Sequence, residues 1–193
     1  MCGIVGIHNL AGAPVDASPL DRMLSMLHHR GPDASGIQVM GSTALGHARL
    51  SIIDLSGGGQ PMKNHNGSLT ITYNGEIFNY PELRASLIEK GHTFKTSSDT
   101  EVILHLYEEK GEDCVEDLNG QFAFSIWDNQ AGKLFLARDR VGIRPLYFAR
   151  TQDDFIFASE MKAILSHGRV HRELDLEALA LQRLFQHRLP VVP

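Results

Sequence analysis

Apolar residues recur along the chain with two different periods. Residues 3–8 (GIVGIH) are short, apolar and β-branched, the pattern of a buried strand. Leu20, Met23, Leu24 and Leu27 then recur at three- and four-residue spacing, which predicts a helix over 19–27. The stretch 28–36 (HHRGPDASG) carries Gly31, Pro32 and Gly36 and reads as a loop. Short strands fit 37–40, 43–48 and 68–73. His65-Asn66-Gly67 lies ahead of the last of these, and Asn-Gly is a hairpin signal. A helix is expected over 81–90, with Pro81 early and Gly91 past its end. Another is expected over 98–110, where Ser98 and Glu101 have capping-box spacing and Gly111 follows the last turn. Val102 with Leu106, and Ile103 with Tyr107, mark its apolar side. Over 121–128, Phe122, Phe124 and Ile126 alternate with Ala123, Ser125 and Trp127. After Asn129-Gln130-Ala131-Gly132 the chain returns over 133–138, a hairpin. Strands at 145–149 and 155–158 and an amphipathic helix at 176–186 complete the pattern. Antiparallel strands with helices in separate blocks predict a layered α+β fold.

Composition narrows the function classes. Eighteen Lys and Arg stand against 23 Asp and Glu, a net charge of −5, and no basic run offers a phosphate-binding surface. The expectation is therefore no nucleic acid. No stretch approaches the roughly 20 apolar residues of a membrane span, and residues 1–10 lack a signal-peptide pattern, so no membrane is expected. Cys2 and Cys114 are too few for a disulfide framework, and the default setting is cytoplasmic. At 193 residues the chain suits one domain with an appendage. The expected division is a domain over 2–165, then a helix and linker over 166–193 leading toward a further domain. The apolar, Pro-interrupted end (Leu189-Pro190-Val191-Val192-Pro193) carries that expectation.

Candidate chemistry begins at Cys2. Once Met1 is removed, a thiol and a free α-amine stand on one residue, a nucleophile beside a base that titrates near neutral pH. Alone this is weak, since a buried inert thiol is the commoner case. Asn74 and Gly75 could direct two N–H donors at one oxyanion, although Asn-Gly at a strand end reads equally as a turn. Arg49 presents a guanidinium fork suited to a carboxylate, with a surface ion pair as the alternative. Asp99 begins a helix, where a carboxylate is favoured in any case, and could bind an ammonium.

Six segments in order carry a resemblance: MCGIVGI, HRGPDASG, HARLSIIDLSGGGQPM, YNGEIFNY, SSDTEV and DRVGIRPLYF. Together they resemble the glutaminase domain of the class II glutamine amidotransferases, and most of all its asparagine synthetase branch. The resemblance implies a four-layer αββα N-terminal-nucleophile hydrolase fold of two antiparallel sheets. It implies Cys2 as nucleophile with its own amine as base, and Asn74 and Gly75 as the oxyanion hole. Arg49 would pair with the glutamine α-carboxylate. Asp99 would pair with its α-ammonium, helped by Glu76 and the backbone near Ile52. His29 to Pro32 would shape the site. The implied reaction is glutamine amide hydrolysis to glutamate and ammonia, with ammonia passed to a C-terminal synthetase domain for asparagine synthesis. A homodimer is one assembly it allows. The rivals are the glutaminase half of another class II enzyme, and a non-catalytic domain if Met1 is retained.

No cofactor is expected for this domain. ATP and magnesium would belong to the synthetase domain, because Ser56-Gly57-Gly58-Gly59 is followed by Gln60-Pro61 and reads as a turn rather than a pyrophosphate loop. The ten histidines show no metal-ligand spacing; neither His28-His29 nor His167 with His171 forms such a motif, so no metal is expected. Cys114, among acidic residues, is expected to be inert. Trp127, Phe122 and Phe124 read as sheet core.

Overall fold

Two antiparallel sheets lie between two helical layers in the computed structural model, which describes residues 1–51, 58–173 and 175–180. One sheet has the order β2-β3-β1-β9-β8, formed by Ala34–Met40, Thr43–Arg49, Gly3–Asn9, Asp154–Ala158 and Tyr147–Arg150. The other has the order β4-β5-β6-β7, formed by Met62–Lys63, Leu69–Ile77, Gly120–Asp128 and Lys133–Arg138. Helices α1 (Ala17–Ser25) and α4 (Met161–Leu165) cover the first sheet. Helices α2 (Tyr80–Glu89) and α3 (Asp99–Lys110) cover the second.

Strand alternation builds the layers. In β1, Val5 and Ile7 pack toward Leu20, Met23 and Leu24 of α1, while Ile4 faces the other way. There Ile4 meets Leu45, Phe157, Ala123 and Trp127, an apolar cluster drawn from both sheets. In β6, Phe122, Phe124 and Ile126 point to the α2–α3 layer, and Ala123 and Trp127 point to the first sheet. These five β6 residues therefore serve two separate cores, and a one-residue slip in register would exchange their faces. Truncating a fully buried residue such as Phe124 should cost about 3–5 kcal/mol.

Three sequence expectations need correction. The strand expected to stop at Tyr73 runs on as β5 to Ile77, so Asn74-Gly75 is no turn. Asn74 pairs with Ala123 and Gly75 with Phe122, and this ladder overrides the Asn-Gly preference. A Cβ at Gly75 would stand 2.4 Å from the Gln121 carbonyl oxygen, which only glycine avoids. The loop expected over 28–36 gives up its last three residues to β2, where Ser35 pairs with Ala48. The capping box on α3 is half formed. Ser98 accepts from Thr100 N at 3.2 Å, but Glu101 turns to the N–H groups of Lys95 and Thr96 instead of back to Ser98. The short β4, the 3-10 turn over Gly111–Glu116 and α4 were not read from the pattern. Of the helix expected over 176–186, residues 176–180 are helical and the remainder lies outside the described residues.

Candidate active site

The order of pairing decides what meets Cys2. β1 and β3 are antiparallel, with Gly3 opposite Ala48, so the residue before β1 lies beside the residues that end β3. Cys2 Sγ accepts from Leu50 N at 3.4 Å and faces Leu50 O at 3.6 Å. Arg30 donates from Nε to Cys2 O at 2.9 Å and from Nη1 to Glu160 Oε1 at 3.0 Å. This holds the backbone of the thiol-bearing residue. Glu160 also receives His29 and Lys162; burial pushes its carboxyl up, but hydrogen bonds from Arg30, Lys162 and His29 overcome this and draw it down to about 2. Gly31 allows this loop to lie against β3, since a Cβ there would be 2.2 Å from the Ala48 carbonyl carbon.

A cleft of about 160 Å3 opens beside the thiol. Its lining brings together Cys2, Arg49, Asn74, Gly75, Glu76 and Asp99, six of the seven site residues expected from the sequence. The seventh, Ile52, lies outside the described residues, as do Ser56 and Gly57 of the expected turn. Asn74 is 2% exposed, and its Nδ2 makes no hydrogen bond. A buried amide donor without a partner costs about 1–3 kcal/mol, so this one is held open at a folding cost. Asp99 Oδ2 accepts from Tyr73 Oη at 2.6 Å and from Ile77 N at 3.1 Å. Burial raises its pKa, and those hydrogen bonds oppose the shift. Burial and the neighbouring Asp99 charge raise Tyr73 well above the usual phenol value, so it remains a donor.

Nine further lining residues escaped the sequence reading of the site, and four of them, Gln60, His47, Arg144 and Met1, make contacts that shape it. Gln60 accepts from Tyr73 N at 2.7 Å and donates to Thr100 Oγ1 at 3.2 Å, tying β5 to the start of α3. His47, 1% exposed, faces Thr72 Oγ1 at 3.3 Å across the sheet interface. Burial, then the Arg49 charge, lower its pKa to about 3, so it is neutral. Arg144 and Met1 touch through the guanidinium and the thioether, both at the cleft. Each of the four lies within or beside a quoted motif, but nothing in residue type alone marks Gln60 or His47 as lining a cleft.

Elsewhere the expected inert groups behave accordingly. Cys114 is fully buried, and burial, more than Asp117, Asp113 and Glu112, pushes its thiol up to about 12. Trp127, Phe122 and Phe124 are buried in the two cores. No helix among the described residues is long and apolar enough to cross a membrane.

A family model described as a glutamine amidotransferase domain matches residues 1–193. Asparagine synthetase [glutamine-hydrolyzing] 3 of Bacillus subtilis is 43% identical over 183 residues, covering 93% of this chain and 30% of its own length. A probable asparagine synthetase [glutamine-hydrolyzing] of Dictyostelium discoideum is 46% identical over 170 residues, 85% of this chain and 30% of its own length. This chain thus spans under a third of either relative. Among solved structures, the glutamine phosphoribosylpyrophosphate amidotransferase of B. subtilis superposes with a TM-score of 0.74 at 26% identity. That match covers 89% of this chain and 44% of that one. The cleft of Cys2, Arg49, Asn74 and Asp99 lies in a chain that belongs to the glutamine amidotransferase domain family.

Proposed function

We propose that this chain hydrolyses the side-chain amide of glutamine at Cys2, and that Asn74 and Gly75 hold the oxyanion. The observation that carries this reading is the buried, unpartnered Nδ2 of Asn74 in the same cleft as the Cys2 thiol. A donor left open in the resting protein suits a charge that appears only during reaction. The chemistry starts after Met1 is removed. That step frees the Cys2 amine and also clears a side chain that lines the cleft against Arg144.

The amine takes the thiol proton, and the thiolate adds to the amide carbon. The oxyanion forms toward Asn74 Nδ2 and the Gly75 N–H. As the C–N bond breaks, the ammonium of Cys2 gives its proton to the departing nitrogen, and ammonia leaves. The γ-glutamyl thioester remains. Water, deprotonated by the same amine, adds to the thioester carbon, and glutamate and the thiol are released. Arg49 and Asp99 line the same cleft with opposite charges, as an α-amino acid requires. Glu76 and the backbone near Ile52 are assigned to the substrate on the family resemblance.

In a longer protein the ammonia would pass to a C-terminal synthetase domain and form asparagine from aspartate. The relatives of matching sequence support this, as each named one is an asparagine synthetase about three times the length of the match. ATP and magnesium would serve that domain. The test is glutamate release from glutamine, measured with a coupled dehydrogenase. Processed chain should turn over, and Cys2→Ala should not. Equal rates in both would refute the assignment.

A further inference from the structure

Away from the cleft, at the outer helical layer, two histidines and a glutamate converge. Among the described residues, His92, His105 and Glu108 have metal-capable atoms that all lie within 4.8 Å of one another. His92 lies in the segment after α2. His105 and Glu108 are neighbours at three-residue spacing on α3. His92 Nδ1 is 3.1 Å from His105 Nδ1 and 3.8 Å from Glu108 Oε2, and His105 Nδ1 is 2.8 Å from Glu108 Oε2.

These distances match a coordination shell. Tetrahedral ligands at zinc bond lengths of 2.0–2.1 Å sit about 3.3 Å apart. For a triangle with the three observed sides, the product of the sides over four times the area places a common centre about 1.9 Å from every atom. An ion slightly out of that plane would reach all three at an ordinary bond length.

Proton counting points the same way. His92 Nε2 is 2.9 Å from Glu109 Oε1, so the hydrogen of a neutral His92 belongs there. Its Nδ1 then carries a lone pair. His105 Nδ1 can give one hydrogen to Glu108, and that hydrogen cannot also fully serve His92. With His92 in that form, three electron-pair donors share a single proton. A cation would satisfy all three once the His105 hydrogen sits on Nε2, on the side of Glu101 Oε1 3.9 Å away.

The surroundings supply the outer contacts that hold ligands in place. Glu109, which faces His92 Nε2, is also held by Lys90 Nζ at 3.3 Å. Glu108 Oε1 accepts from Asn64 Nδ2 at 2.8 Å, and Asn64 Oδ1 accepts from Leu69 N at 3.0 Å. Phe94 packs edge-on to the His105 ring at 4.6 Å, and His105 is 5% exposed. His105 Nε2 is buried without a hydrogen bond, with Glu101 Oε1 3.9 Å away.

We propose that His92, His105 and Glu108 form a zinc-class divalent cation site that ties α3 to the segment following α2. Two imidazoles and one carboxylate suit zinc rather than magnesium or calcium, which take oxygen shells. The fourth position would hold water. The site is a structural clip: α3 carries Asp99 at its first turn, and the clip fixes that helix to its neighbour. It departs from the expectation of no metal, because 13 residues separate the histidines and no linear motif records their meeting.

The test uses the purified chain carrying Cys2→Ala, so that the active-site thiol cannot hold the ion. After EDTA treatment and desalting, zinc chloride is titrated by calorimetry, and retained metal is measured by mass spectrometry. The expected result is one zinc per chain, a raised Tm, and visible tetrahedral bands with cobalt(II). Magnesium should leave Tm unmoved. His92→Gln and Glu108→Gln should each weaken zinc binding by about a hundredfold or more with unchanged circular dichroism. His92 is partly exposed, so its variant tests the site without opening the core. Less than about 0.1 zinc retained per chain at saturating zinc, or parent-like affinity in both variants, would overturn the proposal.

Discussion

Asn74→Ala should separate catalysis from stability. Asn74 is 2% exposed, and its Nδ2 lacks a hydrogen bond. Deleting the amide removes a desolvated, unsatisfied donor, a gain of about 1–3 kcal/mol. It also removes the dispersion contacts of three heavy atoms, a loss of about 1–2 kcal/mol. The two nearly cancel, so Tm should move by less than about 4 °C in either direction. In the transition state the same deletion strips a donor from a fully charged oxygen. That loss is about 2.7–4 kcal/mol, a fall of 10²–10³ in kcat. KM for glutamine should change little, because the neutral amide oxygen gains less from the donor than the oxyanion does. Steady-state glutaminase kinetics and thermal melts on the processed chain give both numbers. A kcat within about threefold of the parent would refute the oxyanion role. A Tm drop of more than about 8 °C would show that Asn74 instead holds the fold.

Three further outcomes follow from the same geometry. Asp99→Asn should raise KM for glutamine about ten- to a hundredfold, the value of a charge-assisted hydrogen bond. Burial raises the Asp99 pKa, so the folded chain binds its proton more readily than the unfolded one and stability falls as pH rises through that window. Asp99→Asn should therefore match or exceed the parent in Tm at neutral pH, and a clear loss would contradict the burial penalty on the carboxylate. Gly75→Ala should lower Tm by several degrees, from about 1–3 kcal/mol of overpacking, because its Cβ would meet backbone at 2.4 Å. A variant melting with the parent would mean that β5 and β6 are less closely apposed. His47, drawn down to about 3, stays neutral where an unfolded histidine protonates. Its contribution is present above pH ~6.5 and is lost as pH falls toward about 3, at up to about 1.4 kcal/mol per unit. Denaturant midpoints of His47→Asn should depend less on pH across that window, and an unchanged slope would argue against a neutral buried imidazole.

The layered fold was largely legible because strand alternation reports which face is buried. Phe122, Phe124 and Ile126 against Ala123 and Trp127 already separated the two cores. What the pattern missed depended on distant partners. Asn74-Gly75 has the local chemistry of a turn, and only pairing with β6 keeps it extended. Glu101 has capping-box spacing, but the N–H groups of Lys95 and Thr96 are the ones it meets. The site was legible in a different way. Cys2, Arg49, Asn74 and Asp99 drew meaning from their order in six motifs, and each alone had a plainer reading. Gln60 and His47 reach the cleft through strand geometry, which no local spacing encodes. His92 and His105 likewise meet only because α2 and α3 pack together.

Every step of the proposed reaction depends on an armed nucleophile at Cys2. Intact mass is taken before and after treatment with a diazoketone analogue of glutamine, with and without excess glutamine. The chain should lack Met1 and gain one adduct on Cys2, and glutamine should block the adduct. A processed chain that takes no adduct, or one labelled equally in the presence of glutamine, would contradict that assignment of Cys2.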